Sequence, residues 1–195
     1  MSQKENLILR IIEIEWDMFA NVRNRGGKAS CQEDPETFKI IRTSNFMSWS
    51  DATLDSYLKD LEEAGKAGKN LMTEKYALME GLIPRLNPEV LPIIDKIVEI
   101  ECGWLSEFAE KSPHIRLARP IYSSQDTPFV VSSETYARGE LATYSRRTLE
   151  LYYKDLLEMQ SQKINRLELI LDRMTEMIDE RHGSPGRKEG RAFSD

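Results

Sequence analysis

The sequence predicts an all-α fold, a single helical domain built from two similar helical units. Three observations predict it. Apolar residues recur at helical spacing along most of the chain, and strand-like alternation is confined to "PFVVSS" at 128–133. The 195 residues include 10 Gly and 8 Pro, too few for an all-β chain full of tight turns. Finally, "SDATLDSYLKDL" at 50–61 returns as "SRRTLELYYKDL" at 145–156, with seven identities in twelve positions.

The elements follow in order. "LILRIIEIEWDMF" carries a helical apolar face and predicts a first helix over about 4–24. It is interrupted by Arg10, Glu13, Glu15 and Asp17, so it is neither a signal peptide nor a membrane span. Helices over about 35–48, 50–67 and 70–82 complete the first unit. Ser50 stands at an N-cap position, with Trp49 before it to staple onto Leu54. Gly65 and Gly68 close that helix, and Pro84, Pro88 and Pro92 punctuate the join.

The second unit repeats the plan over about 88–111, 132–144, 145–159 and 161–182. Its last two helices could also run as one, and "ETYARGELATYS" could carry helix through Ser145. "IIEIEWDMF" at 11–19 matches "IVEIECGWL" at 97–105, and "ETF" at 36–38 matches "ETY" at 134–136. These collinear matches predict an internal duplication of a unit of roughly 85 residues, with units at about 4–83 and 88–182. The domain is expected over 1–182. The polar, Gly-rich tail at 183–195 is expected to be flexible.

Charge and cysteine content narrow the partners. The net charge of −6 argues against nucleic acid or an anionic membrane as the main partner, because both need a basic footprint. Two cysteines make no disulfide framework, which points to a reducing, cytoplasmic setting. Only two histidines are present, so neither a Cys–His nucleophile nor a Glu-x-x-His di-iron site is expected. No metal is predicted, although an oxygen-ligated Mg²⁺ site is left open, and no cofactor is identified.

Candidate chemistry centres on Glu15 and Glu101, set at matched places among large apolar residues. Buried carboxylates must be paired, hydrogen-bonded or protonated, so they are candidates for acid–base catalysis or for structural ion pairs. Arg42 and Arg138, nearly equivalent in the two units, are the expected cationic partners or the clamp for an anionic ligand. Two loops add candidates. One is "NRGGKASCQEDPETF" at 24–38, with Cys31 and Gln32. The other is "RPIYSSQDTPFVVSSETYARGELATYS" at 119–145, with Asp126 and Tyr136 and no full counterpart in the first unit. Cys31 is otherwise a small buried residue, and Ser133 is the expected N-cap before Glu134.

Three stretches stand out together: "IEWDMFANVRNRGGKASCQEDPETFKIIRTSNFMSWS", "NLMTEKYALM" and "SSETYARGELATYS". They resemble a bacterial family, domain of unknown function 4125. The resemblance spans nearly the whole chain except the tail. It implies a bacterial source and an extent of about 1–182, and it brings no activity and no residue roles.

Two function classes remain. The first is a small-molecule enzyme or binding domain, with a site between the units for a small, polar, anionic ligand. The second is a non-catalytic module that docks a partner protein such as a nucleotidyltransferase-like enzyme. A deep polar cavity favours the first, and a solid core with an exposed apolar groove favours the second.

Overall fold

The computed structural model describes residues 2–23, 27, 29–84 and 87–181. The expected tail at 183–195, and part of the 24–38 loop, lie outside the described residues. The protein is all-α, and the described residues contain eight α-helices and no strand. They are α1 (Gln3–Ala20), α2 (Pro35–Phe46), α3 (Asp51–Lys66), α4 (Leu71–Met79), α5 (Leu91–Lys111), α6 (Ser133–Leu141), α7 (Arg146–Ser161) and α8 (Arg166–Arg181). "PFVVSS" is not a strand: its first residues bend back, with Thr127 N–H donating to the Val130 carbonyl at 2.9 Å, and Ser132 and Ser133 begin α6.

Local chemistry sets the boundaries. Ser2 and Glu5 form a reciprocal capping box at the start of α1. Asp34 caps α2, with Pro35 in its first turn, and Asn70 caps α4. Ser50 accepts from Thr53 N–H at 3.3 Å, and Ser145 accepts from Thr148 N–H at 3.2 Å. Hence α6 stops before Ser145 and does not run through it. The cap of α6 is Ser132, one residue earlier than the sequence suggested. Lys163 adopts a positive φ of 57°, a conformation that ends a helix, so α7 and α8 are separate.

The long helices α1 and α5 organise the packing. α1 packs on α2, α3 and α4, and α5 packs on α6, α7 and α8. The two groups meet where α3 lies on α7, α2 on α8 and α4 on α6. One continuous core joins them, from Ile11 and Leu54 through Trp49 to Ile97, Leu149 and Leu156. The α4–α6 crossing is close. A Cβ on Gly139 would collide with Met79 and lie 3.1 Å from the Lys75 carbonyl, so glycine is needed there.

The α3–α7 contact is locked by exchanged carboxylates. Asp155 of α7 accepts from Ser50 N–H at 2.9 Å and from the Thr53 hydroxyl at 2.6 Å. Asp60 of α3 accepts from Ser145 N–H at 3.0 Å and from the Thr148 hydroxyl at 2.7 Å. Each helix therefore supplies the anion that completes the other's N-terminus, where the helix dipole also favours negative charge. No helix among the described residues is long and apolar enough to cross a membrane.

Candidate functional site

A cavity of about 770 Å³ opens where α2, α4, α6 and α8 converge on the core. Aromatic side chains, among them Phe38, Trp49, Tyr136 and Tyr152, form much of its wall. Arg42, Lys75, Arg119 and Arg166 bring cationic groups to it, and Glu101 and Glu140 bring carboxylates.

Glu15, on the buried face of α1, is fully enclosed and does not line the cavity. Arg42 Nε donates to its Oε2 at 2.7 Å, the Arg42 Nη2 group bonds its Oε1, and the Tyr57 hydroxyl donates to Oε1 at 2.7 Å. Arg42 reaches on to Glu140 at 2.9 Å and lies over the Phe46 ring. Burial works against the Arg42 charge, yet Glu140 and Glu15 hold it protonated well above the usual guanidinium range.

Glu140 is doubly paired. Its Oε1 accepts from Arg42 and from the Tyr144 hydroxyl at 2.9 Å, and its Oε2 accepts from Lys75 Nζ at 2.6 Å. Burial pushes its carboxyl up, but Arg42 and Lys75 overcome that and hold it well below the usual carboxylate range. Lys75 is almost fully buried and sits 3.7 Å from the Tyr136 ring centroid. Burial and the Glu140 charge push the Tyr136 phenol up to about 12.

Arg119 stacks on the Tyr136 ring at 4.5 Å. It also donates a long hydrogen bond to the Val131 carbonyl at 3.4 Å. Among the described residues it has no carboxylate partner.

Glu101 stands differently from Glu15. It lines the cavity with 20% of its side chain exposed. Its Oε1 takes the Tyr152 hydroxyl and, at 3.3 Å, Arg166 Nη1. Arg166 divides its other bonds between Ser48 and Asn45. Burial raises the Glu101 carboxyl above its usual range, against the pull of Arg166 and Tyr152.

The sequence-predicted residues therefore separate. Arg42, Glu101, Tyr136 and Cys31 reach the cavity. Cys31 is exposed at its mouth, where the sequence suggested a buried thiol, because the short helical turn at Ser30–Glu33 turns it outward while Gln32 faces in. Gln32 accepts from Ala29 N–H and donates to the Phe19 and Val22 carbonyls, fastening the loop to the end of α1. Asp126 accepts from Ser132 N–H and the Thr135 hydroxyl and so shapes the loop before α6. Arg138, expected with Arg42 to serve Glu15 and Glu101 or an anionic ligand, pairs instead with Asp95 and Glu134. Arg166 takes its place beside Glu101.

Lys75, Arg119, Glu140 and Arg166 were not singled out as partners in the sequence. One signal was present: Lys75 shares a helical face with Leu71, Met72 and Met79, where an ammonium needs a partner. Among the described residues, no group of three or more His, Cys, Asp or Glu side chains could hold a metal ion.

A family model described as "Protein of unknown function (DUF4125)" matches residues 5–179. No curated protein and no solved structure matches the chain.

Proposed function

Starting from the premise that the chain belongs to the DUF4125 family, whose description assigns no activity, we propose that the central cavity binds a small anionic ligand with a flat or apolar body. Arg119 carries this reading. It is a cavity-lining guanidinium held on an aromatic ring, with no carboxylate partner among the described residues. Around it, Arg42 and Lys75 are held by Glu15 and Glu140, and Arg166 donates to Glu101, Ser48 and Asn45, whereas Arg119 meets no carboxylate among the described residues. Asp34 also lines the mouth, but its carboxylate caps α2. An arginine beside an aromatic wall suits a carboxylate or phosphate attached to a planar group.

Titration with benzoate, followed by calorimetry, tests this. Benzoate should bind the wild type, while benzamide, of the same shape and uncharged, should bind at least about tenfold more weakly. Arg119→Gln should remove the difference. Equal binding of the two compounds by the wild type would refute the anion reading. The protein-docking alternative lacks support of the same kind, since a largely aromatic cavity with a few convergent charged groups suits a small ligand.

The internal duplication belongs to the same proposal. Ser50, Thr53, Asp60 and Asn70 recur as Ser145, Thr148, Asp155 and Asn165, each 95 positions on. The hydrogen bonds recur with them. Tyr57 meets Glu15 as Tyr152 meets Glu101, and Asn70 donates to the Met18 carbonyl as Asn165 donates to that of Trp104. In this account one copy of the repeated glutamate became an enclosed ion pair and the other stayed open to the cavity.

A further inference from the structure

We propose that Glu101 acts as a carboxylic acid, donating its Oε2 proton to an oxygen acceptor on the ligand, so that the cavity takes anions that also carry a carbonyl or similar oxygen. The inference rests on the cavity being the ligand site and specifies what its inner end recognises.

The geometry of the three carboxylates supports it. Both oxygens of Glu15 are occupied by Arg42 and Tyr57, and both oxygens of Glu140 are occupied by Arg42, Tyr144 and Lys75. On Glu101, Tyr152 and Arg166 converge on Oε1 alone, and among the described residues no hydrogen bond reaches Oε2. Oε2 is also not among the buried polar atoms lacking a partner, so it stays open to the cavity that Glu101 lines. Two donors on one oxygen give it the role of the carbonyl oxygen of an acid. The other oxygen is left to carry the proton and present it outward.

The surroundings favour that protonation state. The groups facing Glu101 are Tyr152 from α7, Arg166 from α8 and Glu140 from α6, with Arg42 of α2 lining the same cavity. Arg166 is held at a long 3.3 Å and shared with Ser48 and Asn45, so it only partly offsets the burial that disfavours the charged form. On the neighbouring residue, the Cys102 thiol is raised by burial to about 11 and does not compete for the proton near neutral pH. A protonated Glu101 also removes one negative charge from the cavity, which agrees with an anionic ligand.

The test uses a matched pair, 4-acetylbenzoate and 4-isopropenylbenzoate. Both carry the carboxylate and the same ring. Only the first has an oxygen acceptor opposite it. At a pH below the Glu101 titration but above that of the probes' own carboxyl groups, the wild type should bind the acetyl compound about tenfold more tightly, the worth of one hydrogen bond. That preference should fall away as pH rises through the Glu101 titration, because an ionised carboxylate has no proton to give. In Glu101→Gln the side-chain amide supplies a permanent donor, so the preference should persist with no pH dependence. Arg119→Gln should weaken both compounds alike.

Equal binding of the pair by the wild type at that pH would overturn the Glu101 assignment and leave the anion reading standing. A preference that does not change with pH, or that titrates equally in Glu101→Gln, would also overturn it. Failure of both compounds to bind the wild type at any pH would sink the cavity reading itself, and this inference with it.

Discussion

Glu15→Gln should be among the most damaging single-atom changes in this protein. The substitution keeps the shape but removes the charge from a side chain with no solvent exposure. The amide oxygen can still accept from Tyr57, whereas the new NH₂ group faces the Arg42 guanidinium, donor against donor. Breaking a buried ion pair by removing one partner costs about 3–5 kcal/mol. Arg42 keeps its 2.9 Å contact with Glu140, which places the expected loss at the low end, about 3 kcal/mol. For a chain of 195 residues that corresponds to a fall in Tm of about 6–12 °C. Glu101→Gln is the control. Its Oε1 contacts survive on the amide oxygen and its charge is already disfavoured, so the expected loss is below about 1 kcal/mol. Thermal melts and urea unfolding followed by circular dichroism measure both. Equal losses in the two variants would refute the division of the glutamates into an enclosed pair and a cavity-facing group.

The remaining predictions concern packing, caps and pH. Gly139→Ala should destabilise by about 1–3 kcal/mol in the same melts, because its Cβ meets Met79 and the Lys75 backbone at the α4–α6 crossing. Asp60→Asn and Asp155→Asn should each cost about 1 kcal/mol in urea unfolding, since each removes an anion that completes the opposite helix N-terminus. Stability should depend on pH with opposite signs at two carboxylates. Glu140 titrates in the folded state below the ordinary value of 4.5, so its contribution is present above that pH and is lost as pH falls through the folded value. Glu101 titrates above 4.5 when folded, so its contribution is full below that pH and is lost as pH rises through the raised value. Glu101→Gln should abolish the second dependence and leave the first.

How far the sequence could be read follows from what each feature depends on. Caps and helix faces are local, so Ser50, Ser145, Gly68 and the Leu54–Leu61 face were legible from spacing alone. The break between α7 and α8 was expected near residue 160 but left open to a single helix, because Lys163 at positive φ is a non-glycine residue in a conformation that sequence rarely announces. At the site, Arg42 and Arg138 were offered jointly as cations for Glu15 and Glu101, and Arg42 meets Glu15 where α1 and α2 pack together. Arg138 meets neither glutamate of that pair and lies with Asp95 and Glu134 instead. The choice depends on which helix face meets α5, and there Arg138 points to Asp95 while Arg166 arrives from α8. Arg119 could not be singled out, since its importance lies in the absence of a partner, which only the assembled cavity reveals.

The central claim is that the cavity between these helices holds a small anion through Arg119. A crystal structure of the protein soaked with 4-acetylbenzoate tests it directly. The expected density places the carboxylate within hydrogen-bonding distance of the Arg119 guanidinium and the ring against Tyr136, with the acetyl oxygen toward Glu101 Oε2. An empty cavity at saturating ligand, or a ligand bound elsewhere with Arg119 untouched, would contradict it.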